Sequence, residues 1–141
     1  MKSIFTFIIS VIVLSSCVSE ENAIKENNFK PIKLKEYSDS ENYGLNKRAQ
    51  IPIGVIGLSE DGEANAKRYL NSLAGPQGEE IQYYFIKKCC GKKVEGTFSS
   101  QEDSFIYGVS YKGGKDTVHL ILNPNESGKL YIPEGFSAVR N

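Results

Sequence analysis

The hydrophobic and polar positions of the chain change period from one segment to the next, and each period predicts an element. Residues 51–58, Ile-Pro-Ile-Gly-Val-Ile-Gly-Leu, predict a strand, and Pro52 indicates a sheet edge or a strand start. The next segment has helical spacing, because five apolar residues fall at i, i+3, i+4, i+7 and i+8: Ala66, Tyr69, Leu70, Leu73 and Ala74. An amphipathic helix is therefore expected after the first strand.

The residues around this helix set its expected bounds. Asp61 can cap its start, and Gly75-Pro76 are expected to end it, because Pro cannot continue the hydrogen-bond ladder. The other helix face is formed by Asn65, Lys67, Arg68, Asn71 and Ser72.

Three further segments predict strands. Residues 80–88 are rich in aromatic and β-branched side chains, which predicts a strand buried on both faces at its centre. Residues 104–112 and 115–122 flank Gly113-Gly114, a dipeptide that suits a tight hairpin and so fixes a register. That register pairs Phe105 with Leu122, Ile106 with Ile121, Tyr107 with Leu120, Gly108 with His119, Val109 with Val118 and Ser110 with Thr117.

A last short strand is expected at residues 129–132, before Pro133. Together these elements predict an α+β fold in which one helix packs on an antiparallel sheet of about four to five strands. The expected division of the chain is a signal peptide at 1–16, a flexible tether at 17–48 and a single globular domain at 49–141.

The expected tether is rich in Glu, Asn, Lys and Ser and shows no sustained hydrophobic period. A coil of about 30 residues spans roughly 30 Å on average and at most about 100 Å, so it would hold the domain away from a membrane. The alternative is a docked edge strand formed by the scattered apolar residues Phe29, Ile32, Leu34 and Tyr37.

The start of the chain has the features of a secretory signal. Lys2 precedes an apolar run that is too short to span a membrane, and the run ends in Leu14-Ser15-Ser16-Cys17. This sequence resembles the lipobox of bacterial lipoproteins, which implies that Cys17 carries covalent lipid with acyl chains such as palmitate and becomes the mature amino terminus. More than one acyl chain makes such anchoring stable, so a membrane is the expected partner.

The residues after Cys17 bear on which membrane carries the protein. Val18 stands where many Gram-negative lipoproteins that stay in the inner membrane have Asp, which favours the outer membrane. The segment Ser19-Glu20-Glu21 resembles the surface-export signal of some Gram-negative lipoproteins, so both the periplasmic face and the cell surface stay open.

Charge excludes one class of partner. The whole chain has a formal net charge of +0, and the 125 residues from Cys17 onward have −1 because Lys2 is removed. With no Trp and no basic run backed by aromatic residues, the footprint of a nucleic-acid-binding protein is missing. An envelope protein or a small ligand is a further candidate partner.

Cys89 and Cys90 stand inside the sequence Lys-Lys-Cys-Cys-Gly-Lys-Lys. They could pair with each other, stay as thiols, act in redox sensing, bind metal or bridge to another molecule. Neighbouring Cα atoms lie about 3.8 Å apart, closer than most disulfides allow, so a bond between them would be labile. The four lysines would favour thiolate, although solvated loop lysines are the commoner reason for such a run.

His119 is the single histidine of the chain, and the predicted register places it opposite Gly108. The missing side chain at Gly108 leaves room for a ligand niche, and a histidine that only fills a sheet face is the plain alternative. A zinc site of two cysteines and one histidine would need an irregular loop, so no metal residue is assigned. No catalytic set and no cofactor other than the lipid on Cys17 is expected.

The tyrosines of the predicted strands offer one further surface. They could line a binding site, or they could close the core of a protein that lacks Trp. They are Tyr83, Tyr84, Tyr107, Tyr111 and Tyr131.

Residues 68–83, Arg-Tyr-Leu-Asn-Ser-Leu-Ala-Gly-Pro-Gln-Gly-Glu-Glu-Ile-Gln-Tyr, are followed by Cys89-Cys90 and by Pro133-Glu-Gly-Phe136. This combination resembles a family of small Gram-negative lipoproteins with a Tyr-Leu-Asn-x-Leu-x-Gly-Pro-x-Gly-Glu segment, a tyrosine strand and a Cys-Cys pair. The resemblance covers most of residues 50–136. In the family the pair usually follows Ser and precedes Pro-Phe, where this chain has Lys88 and Gly91.

Some members of that family bear the name 2-dehydro-3-deoxyphosphooctonate aldolase. That enzyme is similar to a barrel of eight strand and helix units, which needs about 250 residues, and this chain has 141. The expected function is therefore a lipid-anchored envelope domain that works by binding or as a structural part, and an enzyme is the less expected reading. A redox or thiol-sensing module at Cys89 and Cys90 is the first alternative, and a metal-binding module is the second.

Overall fold

The structure, a computed structural model, describes residues 28–54, 61–90 and 103–140. The expected signal peptide, the lipid site at Cys17 and the second half of the first predicted strand lie outside these residues.

The described residues form one helix and two sheets, which confirms the α+β class. The main sheet has the strand order β1-β5-β4-β3 and the second sheet pairs β2 with β6. In chain order the elements are β1 at Ile51–Pro52, α1 at Gly62–Asn71, β2 at Leu73–Ala74, β3 at Ile81–Cys89, β4 at Ser104–Tyr111, β5 at Val118–Asn123 and β6 at Ser137–Ala138.

The hairpin of β4 and β5 has the predicted register. Phe105 pairs with Leu122 and Val109 with Val118, with the three predicted pairs between them also formed, while the sixth predicted pair, Ser110 with Thr117, is absent because β5 begins at Val118. The turn itself differs from the expected two-residue loop. Gly114 N donates to Tyr111 O at 3.0 Å, and Gly113 adopts a φ of +88°, which a residue without a Cβ accepts at little cost. The apolar pairing therefore fixed the register although the turn is wider.

The first strand differs from the prediction in direction. β1 lies at the sheet edge, as Pro52 indicated, but it runs parallel to β5, with Ile51 opposite Leu122. The main sheet is therefore mixed and not wholly antiparallel. β1 and β5 are far apart in sequence, so no tight turn dictates their direction.

Helix α1 starts as predicted and ends early. The Asp61 side chain accepts hydrogen bonds from the backbone N–H groups of Glu63 at 3.0 Å and Ala64 at 3.3 Å. Leu73 and Ala74 keep the apolar character of the helical stripe, but they form β2 and pair with Ala138 and Ser137. These residues leave the helix because they pair with a strand near the end of the chain. Local hydrophobic spacing cannot predict such a distant partner.

The two asparagines of α1 and the Ser72 that caps its end are buried as well, because other segments cover that face. Asn65 Nδ2 donates to Ile53 O at 3.1 Å, and Ser72 Oγ accepts from Ile32 N at 2.8 Å. The helix therefore packs on both sides, and backbone groups of other segments bind polar side chains on its second side.

Residues 29–48 belong to the folded domain, so the predicted boundary at residue 49 is wrong. Leu34 and Tyr43 are buried in the core. Backbone hydrogen bonds tie the segment down, from Ile132 N to Glu36 O at 2.9 Å and from Ile121 N to Gly44 O at 2.7 Å. The docked alternative describes the structure better than the tether, because these isolated apolar residues meet partners that are distant in sequence.

The last predicted strand, at 129–132, is reduced to a single parallel bridge between Ile132 and Tyr37 of the docked segment. The bridge nevertheless lies beside the core, because Ile132 is buried and Tyr69 Oη donates to Tyr131 O at 2.7 Å. Burial of Tyr69 raises the pKa of its hydroxyl well above its usual value, and Tyr43 adds a smaller electrostatic contribution.

A pair of leucine variants tests whether the docked segment stabilises the domain. Leu34→Ala is expected to lower the free energy of unfolding by about 2 to 3 kcal/mol, because Leu34 is 8% exposed and its removal leaves a cavity. Leu45→Ala is the matched control, since Leu45 is 40% exposed and its truncation is expected to cost less than about 0.5 kcal/mol. Chemical denaturation measures the free energy of unfolding of both variants. Equally small decreases in the two variants would show that the segment is a tether that adds no stability.

Candidate functional site

Strand β3 forms one edge of the main sheet and exposes aromatic side chains. Tyr83 is buried, but Tyr84 is 42% exposed and Phe85 is 50% exposed, so the strand is not buried on both faces at its centre. The expectation failed because β3 has a paired neighbour on one side only among the described residues, β4. Of the tyrosines proposed for a surface, Tyr84 lies there, while Tyr83 and Tyr107 close the core.

The cross-strand pairs show which face each side chain occupies. Phe85 lies opposite Tyr107 on the core side, and Tyr84 lies opposite Gly108 on the outer side. The ring of Phe85 contacts those of Tyr107 and Phe105 edge to face, with centroids 5.6 and 6.5 Å apart. Phe85 is thus the exposed outer member of an aromatic cluster that continues into the core.

A bulge in β3 then distributes two lysines over the two faces. The register shifts between Phe85 and Lys87, so Lys87 pairs with Ile106 and Lys88 with Phe105. Lys87 therefore shares the outer face with Tyr84. Lys88 shares the core side with Phe85, and its Nζ lies 5.8 Å from the centroid of the Phe105 ring. Without the bulge, Lys87 would lie on the core side and Lys88 on the outer face.

Neither β3 nor β4 contains Asp or Glu, although the whole chain has as many acidic as basic residues. The edge therefore combines two exposed aromatic side chains with two lysines and no carboxylate of its own. Sequence reasoning missed Phe85, although its position just before the two lysines indicated that the strand becomes exposed there.

Strand β3 ends in a vicinal disulfide. Cys89 and Cys90 are bonded to each other with Cα atoms 3.7 Å apart, and Cys90 adopts a φ of +65°. Cys89 still pairs with Ser104, whose Oγ donates to Gln50 Oε1 at 2.7 Å. Both cysteines are half-buried. Of the states that the sequence left open, the structure holds the disulfide within this pair.

This disulfide encloses too little chain to act as a strong staple. Cross-linking adjacent residues removes only about 1 kcal/mol of chain entropy from the unfolded state. The left-handed conformation of Cys90 costs about 1 to 2 kcal/mol for a residue with a Cβ. These two effects oppose each other, so opening the bond is expected to change stability little.

His119 lies on the outer face of β5, opposite Gly108 as predicted, and it is exposed. The expected niche beside it holds the ring of Tyr84. A Cβ built on Gly108 would lie 2.6 Å from Tyr84 Cζ, so the absence of a side chain at Gly108 is what lets the ring lie over the sheet. The Tyr84 ring therefore occupies the space that the missing side chain of Gly108 leaves.

The described residues contain no group of three His, Cys, Asp or Glu side chains that could hold a metal ion. Cys89 and Cys90 are bonded to each other and do not titrate, so neither sulfur offers a thiolate ligand in this state.

A second surface lies at the Gly-Pro-Gln-Gly-Glu turn. A cleft of about 400 Å³ is bounded by residues 73–74 and 77–80 on one side and by Val139 and Arg140 on the other. Gly78 N donates to Gly75 O at 2.9 Å, and the Glu79 carboxylate accepts from Gln77 N at 2.8 Å. The C-terminal segment that completes the cleft was not anticipated, since long-range contacts bring it here: the pairing of β2 with β6 and the hydrogen bond from Val139 N to Ser72 O at 2.9 Å.

Packing explains most of the residues that carry the family resemblance. Tyr69 is fully buried, and Asn71 Oδ1 accepts from Tyr83 Oη at 2.9 Å. A Cβ on Gly75 would clash with Glu79 Oε2 and would lie 2.9 Å from Tyr111 Cγ. Gly78 has a φ of +93°. These residues therefore form a helix end and a turn. They do not by themselves indicate a catalytic or binding role.

No family model, no curated protein and no solved structure matches this chain. Within the described residues, α1 is the one helix, and neither its length nor its hydropathy would let it cross a bilayer.

A double serine variant tests whether the disulfide is a staple. Cys89→Ser with Cys90→Ser is expected to change the free energy of unfolding by no more than about 1 kcal/mol, for the opposing reasons given above. Asn71→Ala is the positive control, because it leaves the Tyr83 hydroxyl and the Phe29 carbonyl without that amide and is expected to cost about 2 to 3 kcal/mol. A loss above about 3 kcal/mol in the serine variant would make the disulfide a structural necessity.

Proposed function

We propose that this protein is a lipid-anchored lipoprotein of the cell envelope, and that its domain acts by binding at the exposed edge of β3. The observation that carries the binding role is the pair Tyr84 and Phe85, two adjacent aromatic side chains that are 42% and 50% exposed. Aromatic side chains are enriched at contact surfaces because they bury a large area at a small entropic cost.

The lipobox that ends in Cys17 supports the anchoring part of the proposal, and Val18 favours the outer membrane. The turn and the cysteine pair support membership of the small lipoprotein family that the sequence resembles. Both Gly75 and Gly78 hold positions that need glycine, so this segment is consistent with one shared fold. The partner of the domain in this proposal is a component of the envelope.

Intact mass of the full chain produced in a Gram-negative host tests the anchor. The mature protein is expected to begin at Cys17 and to weigh more than residues 17–141 by one thioether-linked diacylglycerol and one amide-linked acyl chain. It is expected to stay with the membrane fraction after carbonate extraction, because several acyl chains anchor stably.

Cys17→Ala is the variant that should lose the added mass and the mature amino terminus. Cys89→Ser with Cys90→Ser is its matched control, since it removes the other cysteines and should keep the lipid. An unmodified Cys17 in the membrane-bound wild type, or cleavage at another residue, would refute the lipoprotein assignment.

The disulfide itself supports a second candidate function, thiol-disulfide exchange. Its two cysteine residues are half-buried and follow two exposed lysines, which would stabilise thiolate in the reduced state. A dithiol reductant supplies the two electrons: its thiolate attacks one sulfur, and the S–S bond breaks. The released cysteine thiolate takes up a proton. The second thiol of the reductant then displaces the first cysteine, which is protonated in turn, and the reductant leaves as a disulfide.

The reduction potential of the pair tests this candidate. Equilibration of residues 18–141 in dithiol redox buffers, followed by alkylation and intact mass, is expected to give a midpoint above about −300 mV, the range of labile disulfides. The single variant Cys90→Ser is the control, since its one remaining thiol should alkylate in every buffer. A midpoint potential well below that value would refute the redox function.

A further inference from the structure

The docking of residues 29–48 shortens the part of the chain that separates the proposed lipid site from the folded domain. Only residues 18–27 lie between Cys17 and Asn28, the first described residue. Eleven peptide units span at most about 36 to 40 Å when fully extended. A domain of about 100 residues has a radius of gyration of about 13 Å, so the reach is close to one domain diameter. The anchor must therefore keep the domain beside the bilayer.

The chain joins the domain on the side of β3. The Phe29 carbonyl accepts a hydrogen bond from Asn71 Nδ2 at 2.8 Å, and Asn71 Oδ1 accepts one from Tyr83 Oη at 2.9 Å. Tyr83 directly precedes Tyr84 and Phe85 in β3. Two hydrogen bonds through one side chain thus connect the point of attachment to strand β3. Tyr83 is buried, so the chain enters the domain at the end of α1, on the core side of the strand whose next two residues expose aromatic side chains.

The chemistry of that edge fits a lipid headgroup region better than another strand. Each face presents one exposed aromatic and one lysine, Tyr84 with Lys87 and Phe85 with Lys88. Aromatic rings favour the membrane interface, and lysines bind lipid phosphate while their stems cover apolar surface. A bulge and lysines are the features with which sheet edges resist pairing with a further strand.

We propose that the β3 edge, formed by Tyr84, Phe85, Lys87 and Lys88, is a membrane-docking surface for bilayers that contain anionic phospholipid. This inference rests on the proposed lipid anchor, since the anchor supplies the proximity. Because the edge carries an aromatic and a cation on both faces, it can enter the interface edge-on, with the rings beside the acyl boundary and the ammonium groups at the phosphates.

The absence of Trp from the chain allows a direct test with single-tryptophan reporters. Residues 18–141 without lipid include every described residue of the fold. The Phe85→Trp reporter is titrated with vesicles of phosphatidylglycerol and phosphatidylcholine in equal parts. Its emission is expected to shift to the blue, because the indole leaves water. Leu45→Trp is the matched reporter in the loop before β1, at the opposite sheet edge, and should not shift.

A lysine variant tests the electrostatic part while both exposed aromatic side chains are kept. Lys87→Gln with Lys88→Gln is expected to weaken vesicle binding roughly 30-fold, because each lysine near an anionic surface contributes about a fivefold gain in affinity. Lys47→Gln with Arg48→Gln removes the same charge from two adjacent exposed residues on the β1 side and should leave binding within about twofold of the wild type.

The outcomes separate this inference from the anchor proposal. Binding of the lipid-free chain to these vesicles together with an unmodified Cys17 would support the docking surface and refute the anchor. A lipidated Cys17 with an unshifted Phe85→Trp reporter would refute the docking surface, as expected if β3 instead binds a protein. Equal shifts with pure phosphatidylcholine vesicles, or equal losses in both double variants, would also overturn it, because the lysines of β3 would then have no specific part.

Discussion

The side chain of Asn71 is the contact on which the arrangement of this domain depends. It is 4% exposed, it donates to the Phe29 carbonyl, and it accepts from the Tyr83 hydroxyl. One amide at the end of α1 thus joins the start of the folded chain, the helix and the edge strand. A buried hydroxyl or carbonyl that loses its partner costs about 1 to 3 kcal/mol, so the three segments are strongly coupled at this point.

The next residue extends that junction. Ser72 Oγ accepts from Ile32 N at 2.8 Å and donates to Arg68 O at 2.7 Å, while the Ser72 carbonyl accepts from Val139 N at 2.9 Å. The N-terminal segment and the C-terminal segment therefore both attach where α1 ends. This explains why the helix stops before Leu73, since its continuation would remove the backbone groups that the C-terminal segment uses.

The exposed edge is the other consequence of this arrangement. The core side of β3 is covered as far as Tyr83, and beyond it Phe85 is left half exposed beside Phe105 and Tyr107. The bulge and the vicinal disulfide follow directly, and both disturb regular strand geometry. An edge with this shape resists pairing with further strands, and it leaves Tyr84 and Phe85 partly exposed to solvent.

Elements whose partners lie close along the chain could be predicted from local sequence alone. The cap at Asp61 and the register from Phe105–Leu122 to Val109–Val118 follow from local chemistry and alternating apolar residues, and both were predicted. Three features required the fold: the burial of Leu34, the parallel pairing of β1 and the exposure of Phe85. Each of these depends on which distant segment covers a residue, and hydrophobic period carries no information about that partner.

The same division applies to the candidate site. Adjacent cysteines, the lysines beside them and the pairing of His119 with Gly108 were all readable from the sequence. The choice of the disulfide, the Tyr84 ring over Gly108 and the distribution of Lys87 and Lys88 over two faces required the fold. The faces of Lys87 and Lys88 depend on a single extra residue in β3. Side chains alternate along a strand, so one inserted residue moves every later side chain to the opposite face.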